Sequence, residues 1–306
     1  MLLKIIRTPL RSSSFSARLS LRIPVFLALC LAAAASSVHA TTVSVSPLKD
    51  ATIFGTSGGT DTGNANGRGP GLFTGTDGQN NLKRSLIQFD LAAAGIPSDA
   101  IIDSATMSLS LGQVPSSGGL SQTIRLFNLN QPWSEGSSGS PTSSTISGTG
   151  TGYPRGNGDS TWDYSSYNSN PPTAIKWQQD GSELHGGNFS SPERASSTFT
   201  TFAAGSTFTW SSADMAADVK SWLNNPSDNN GWLLKSDEEG VARSALGFWS
   251  KDGAAATGNL ALAPTLEINY SPIPEPETWG MMMAGLALLG WRVGRFRKAG
   301  KASYAT

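Results

Sequence analysis

Residues 105–111 read Ala105-Thr106-Met107-Ser108-Leu109-Ser110-Leu111 (ATMSLSL), with every apolar side chain on odd positions and every hydroxyl on even ones. A period of two is the side-chain period of an extended strand, so this segment predicts a β-strand with one buried face. The same alternation recurs on both sides of it. In SLIQFDL, Leu86 and Gln88 alternate with Ile87, Phe89 and Leu91; in TLEINY, Leu266, Ile268 and Tyr270 oppose Glu267 and Asn269. TIRLF and TFTW are further strand candidates, and Asp-Gly pairs at Asp77, Asp180 and Asp252 predict turns between strands. Short apolar segments separated by Gly, Ser, Thr and Asn predict an all-β sandwich rather than alternating strands and helices.

One segment departs from that period. In SSADMAADVKSWLNNP, Met215, Val219 and Trp222 recur at helical spacing, behind Ser212 as an N-cap and ahead of Pro226. A single short helix is expected there, its apolar stripe closing one end of the sandwich. Residues 136–160 are almost free of apolar side chains and read as a mobile loop within the domain.

The chain of 306 residues has a formal net charge of zero, composed of unlike parts. Residues 1–40 carry Lys4, Arg7, Arg11, Arg18 and Arg22 and no acid, whereas residues 41–272 carry 12 basic against 20 acidic side chains, a net of −8. That charge disfavours nucleic acid as a partner of the centre. The basic start, the apolar run Ile23–Ala35 and the small residues Val38-His39-Ala40 predict a signal peptide over 1–40, cleaved after Ala40. Two alternatives remain open. The run could stay as a membrane anchor, although it is shorter than the roughly 20 residues that cross a bilayer, and Cys30 in LALC could be acylated. Cys30 is the only cysteine, so the centre, residues 41–271, has neither disulfides nor a thiol nucleophile.

In order along the centre come LKDATIFG, RSLIQFDL with IIDSATMSLSL, TWDYSSYN with GGNF, DVKSWLNNPSDNNGWLLKS and PTLEINY. Together these resemble the DNRLRE-type domain of exported bacterial and archaeal proteins, over about Val43–Tyr270. The resemblance implies a jelly-roll-like β-sandwich of the carbohydrate-binding-module kind and a polysaccharide partner. The family's six-letter string is missing, and residues 136–160 part Trp133-Ser134-Glu135 from Thr161-Trp162.

The end of the chain, residues 272–306, resembles the PEP-CTERM sorting signal: Pro274-Glu275-Pro276, an apolar run from Gly280 to Trp291, and Arg292, Arg295, Arg297 and Lys298. The resemblance implies an exosortase-type processing enzyme as partner, transient contact with the inner membrane of a Gram-negative bacterium, and delivery to the envelope, the surface or the medium. A short hydrophobic helix over 278–293 is expected to span the membrane, with the four basic residues halting export on the cytoplasmic side. A permanent C-terminal anchor is the alternative.

Few chemistries suit the centre. His185 is its only histidine, and no HExxH, phosphate-binding glycine loop or Cys/His cluster occurs. Glu135, Asp159, Asp163 and Glu183 leave a carboxylate-based glycoside hydrolase or lyase open. A non-catalytic sugar-binding face asks for less, namely aromatic surfaces flanked by amides and carboxylates. TWDYSSYNSNPPTAIKWQ supplies Trp162, Tyr164, Tyr167 and Trp177 with Asp163, Asn168 and Asn170, and for Trp162 a place in the core, which the family resemblance allows, is the alternative. Trp222, Trp232 and Trp249 are expected in packing. No cofactor is expected; a structural calcium held by Asp50, Asp90 or Asp252 is an option that no spacing demonstrates. A purely structural matrix or adhesion protein is the rival reading.

Overall fold

The computed structural model describes residues 40–116, 121–146, 150–273, 280 and 283–291. The signal-peptide residues before Ala40, together with Pro274, Glu275, Pro276, Arg292, Arg295, Arg297 and Lys298, lie outside the described residues.

The principal unit runs from His39 to Ile273. Its strands are β1 (Thr41–Val45), β2 (Pro47–Gly55), β3 (Asp61–Asn66), β4 (Gly71–Thr76), β5 (Leu82–Phe89), β6 (Ile101–Gln113), β7 (Gln122–Asn128), β8 (Tyr153–Pro154), β9 (Tyr164–Ser166), β10 (Ile175–Lys176), β11 (Gln178–Gln179), β12 (Ser182–Glu183), β13 (Ala195–Phe199), β14 (Thr207–Ser211), β15 (Trp232–Ser236), β16 (Leu246–Trp249) and β17 (Thr265–Ser271). Thirteen of them form one curled antiparallel sheet in the order β1-β17-β6-β16-β4-β5-β15-β7-β13, with β14 also on β6, and β2 on β5 continuing to β3 and β8. The fold is mostly β, as the alternation in residues 105–111 predicts.

Curling brings two parts of this sheet face to face. From β6, β14 and β17 come Ala105, Met107, Leu109, Phe208, Trp210, Leu266 and Ile268; from β5, β7 and β15 come Ile87, Phe89, Ile124, Leu126, Trp232 and Leu234, all in one buried cluster. Helix α1 (Ala213–Asn224) has its expected start, Ser212 Oγ accepting from Met215 N at 3.0 Å. It inserts Met215, Val219 and Trp222 into that cluster, with the Trp222 and Trp232 rings 4.7 Å apart.

Three expectations need correction. First, β5, β7 and β15 are buried on both faces. Their alternate residues Leu86, Phe127 and Leu233 enter a second cluster with Ala51, Ile53, Leu129, Trp133, Trp162 and Trp177. The segment after β7 thus lies over the back of the sheet as a further layer. Second, a helix α2 (Lys251–Thr257) occupies the place where Asp252-Gly253 predicted a turn. Ser250 Oγ caps it by accepting from Gly253 N at 2.9 Å, and Gly258, at φ 72°, ends it. Third, the described part of 136–160 is held in place. Asp159, fully buried, accepts from Ser137 N at 2.8 Å and Ser138 N at 3.1 Å through Oδ1, and from Gly156 N at 2.5 Å through Oδ2. Three backbone donors converging on one carboxylate replace the apolar core that this segment lacks.

Of the expected span 278–293, residues 280 and 283–291 are described and helical. Among the described residues no helix is long and apolar enough to cross a membrane.

Candidate functional site

The layer over the back of the sheet carries the aromatic face sought in the sequence, with half of it turned inward. Trp162 is 2% exposed and Trp177 is 0% exposed. Trp162 donates from Nε1 to Gly59 O at 2.9 Å, and its ring lies so close to Gly55 and Gly186 that a Cβ at either would fall within 3 Å of it. The Arg84 guanidinium covers it at 4.6 Å from the ring centroid. Trp177 donates to Thr161 O at 2.9 Å. Neither indole leaves a face on which a pyranose ring could stack, so both belong to packing and are removed from the expected sugar-binding set.

Tyr164 and Tyr167 remain half-buried, with ring centroids 5.4 Å apart and planes at 74°. Their placement follows from the Asp159 loop. Tyr167 N donates to Asp159 O at 2.8 Å and Gly158 N to Tyr167 O at 2.7 Å, while β9 pairs with β10. Arg155 lies 4.1 Å from the Tyr167 ring centroid and is anchored by Asp61 Oδ2 at 2.8 Å. Around this pair stand Lys176, bound to Glu183 at 2.6 Å, and His185, whose Nδ1 is 2.6 Å from Asp163 Oδ1. The Glu183 partner raises the Lys176 ammonium above its ordinary value. The two half-buried phenol rings with Arg155 and Lys176 beside them, and the Lys176–Glu183 and Asp163–His185 pairs, are groups that suit hydroxyl-rich ligands. Arg155, Lys176 and His185 were outside the sequence-derived set because only their folded neighbours reveal them.

The carboxylates considered for hydrolysis are dispersed in role. Asp159 is spent on backbone amides, Asp163 and Glu183 are paired as above, and Glu135 accepts from Lys251 at 2.7 Å and from Asp50 N at 2.9 Å.

Of the calcium candidates, Asp50 and Asp252 come together with Glu135, their nearest carboxylate oxygens all within 4.8 Å of one another. Asp90 stands elsewhere, accepting from Ala93 N at 3.1 Å. The Lys251 ammonium is 2.7 Å from Glu135 and 3.0 Å from Asp252, so a lysine already supplies the positive charge that this cluster requires. Burial pushes the Asp50 carboxyl up to about 7, against the opposing pull of the Lys251 amide and ammonium. The three carboxylates are donors of the kind calcium takes, but such a cation would have to displace the Lys251 ammonium from them.

The principal unit closes with β17, paired to β1 on one side and β6 on the other, and Ser271 is its last residue. Pro272 and Ile273 lead from it into the Pro274-Glu275-Pro276 sequence. Residues 272–298 match the PEP-CTERM protein-sorting motif. The match begins one residue after the last strand ends. A chain bearing this motif is exported across the inner membrane to the cell envelope or surface and sorted by an exosortase. No curated protein sequence matches the chain.

Proposed function

We propose that this chain is a non-catalytic envelope or extracellular-matrix protein whose DNRLRE-like β-sandwich contacts polysaccharide through the face around Tyr164 and Tyr167. The observation that carries the reading is the junction at residues 271 and 272. The sandwich is complete at Ser271 and the sorting motif starts immediately beyond it, so processing near Pro-Glu-Pro leaves every described strand in place. The segments resembling the DNRLRE type fall on β2, β5 with β6, the layer holding Trp162, α1 with β15, and β17, which supports treating the sandwich as one such unit. The two tyrosines, with Arg155, Lys176, Asp163 and His185, offer ring edges and hydrogen-bonding groups of both signs to hydroxyl-rich ligands.

Retention of the full chain on immobilised polysaccharides tests this. A Tyr164→Ala, Tyr167→Ala double variant should lose retention by at least tenfold while melting within a few degrees of the parent. Undiminished retention overturns the assignment of the face. The burial of Trp162 and Trp177 favours a second reading, a purely structural matrix or adhesion protein. Absence of retention on any glycan, with the chain still incorporated into the matrix, selects it. Release of reducing ends or unsaturated products from the same glycans would overturn the non-catalytic assignment.

A further inference from the structure

Beside the β4–β5 hairpin, sharing no lining residue with the tyrosine face, lies a pocket of about 200 Å³ bordered by Phe73, Asp77, Lys83, Gln113, Thr151 and Arg243. Lys83 points its ammonium inward and is 1% exposed. Asp77 Oδ2 lies 2.7 Å from Lys83 Nζ. That carboxylate is already committed to its own turn, accepting from Gln79 N and Asn81 N, each at 2.9 Å, and from Asn81 Nδ2 at 3.2 Å. An ammonium has three N–H donors, and no hydrogen-bond acceptor among the described residues takes up those left over by the ion pair. A buried donor without an acceptor is costly, and so is the buried, unpartnered Oε1 of Gln113 in the same wall.

Arg243 borders the pocket from its exposed side and has no ion pair among the described residues. Its backbone has φ 65°, a conformation that glycine adopts without strain and that arginine adopts at a cost. Backbone strain of this kind concentrates at functional positions. Lys83 and Arg243 against Asp77 leave the pocket with a surplus positive charge inside a body of net charge −8. The surplus selects an anion, the guanidinium fork suits a carboxylate, and the Gln113 oxygen calls for a hydroxyl donor. The volume lies below the roughly 300–1,000 Å³ of drug-sized sites and fits a single ring.

We propose that this pocket binds a hydroxylated carboxylate the size of one uronic-acid ring, the carboxylate held by Arg243 and Lys83 and a hydroxyl donated to Gln113 Oε1. The site stands independently of the tyrosine face.

Titration calorimetry of the full chain with glucuronate, with glucose as the uncharged control, tests it. Glucuronate should bind saturably and at least tenfold more tightly than glucose. Arg243→Gly should weaken glucuronate by at least tenfold while leaving the melting temperature unchanged or higher, because glycine relaxes the positive φ. Lys83→Met should also abolish binding; should that variant fail to fold, Arg243→Gly alone decides. Tighter binding of a uronate-ended oligosaccharide than of free glucuronate assigns the ligand to a polymer end, and the reverse to the free acid; both support the site. Equal binding of glucuronate and glucose, or an unaffected Arg243→Gly variant, overturns it. The Tyr164→Ala, Tyr167→Ala variant should keep glucuronate binding, so failure of one site is distinguishable from failure of the other.

Discussion

Asp50 and Trp162 show what a single side chain contributes here. The folded state holds the Asp50 carboxyl up at about 7, above the value near 4 of an exposed aspartate. The folded chain therefore keeps a proton that the unfolded chain has lost between those values. Stability from this group is fully present below about pH 4 and is lost as pH rises through about 7. Asp50→Asn preserves an acceptor for the Lys251 amide, now 2.8 Å from Asp50 Oδ2, and removes the titration. Melts of parent and variant between pH 4 and 8 should diverge, the parent falling relative to Asp50→Asn by an amount on the order of a few kcal/mol. A parallel pair of curves contradicts the burial argument. For Trp162→Ala, loss of a buried indole predicts about 3–5 kcal/mol of destabilisation in denaturant unfolding; a loss below about 1 kcal/mol would return Trp162 to the surface. Sequence left its role open between core and ligand face. Asp163, Ser165 and Asn168 surround it with polarity, and the groups that enclose it, Gly55, Arg84 and Gly186, are distant in the chain or carry no pattern.

At the level of elements, legibility tracked how local the determining signal is. Helix α1 announced itself because cap, stripe and terminating proline are adjacent in sequence, and β6 because its alternation is uninterrupted. Helix α2 was hidden by Gly253, a poor helix residue that reads as half of a turn. The glycine is there for space, since a Cβ at 253 would lie 2.2 Å from Pro70 O. Gly253→Ala should thus destabilise the protein by more than about 1 kcal/mol, the reverse of what helix propensity alone gives; a higher melting temperature would refute the close approach. The layer over the back of the sheet was equally hidden. Leu86 and Leu233 look like ordinary members of strands with one buried face until residues from Leu129 to Phe189 cover them. Tyr164 and Tyr167 drew notice as aromatic residues in a polar stretch, whereas the Asp159 carboxylate that orders their loop resembles any solvated acid in sequence.

For the molecule as a whole, the decisive boundary is at Ser271. If the sorting segment is a detachable handle, a chain ending at Ile273 should melt at the same temperature as the longer form to within about a degree, and mass spectrometry of the protein from its host should find a C-terminus near Pro274–Pro276. Intact material extending to Thr306 in the envelope would refute removal of the handle, and a lowered melting temperature on truncation would show that it supports the fold. The handle was the most legible part of the whole sequence, because Pro-Glu-Pro, an apolar run and a basic cluster lie within the 27 residues of the match. Which side chains face outward was the least legible, because that depends on which side of a loop is outermost.

The pairing of β1 with β17, Thr41 opposite Tyr270, fastens the earliest strand of the sandwich to its latest. Synthesis and secretion deliver the chain from its beginning, so β1 must wait without its partner until nearly everything else has emerged. Closure of this seam has to wait until the residues directly ahead of the sorting segment are available, so the last contact to form in the sheet borders the match.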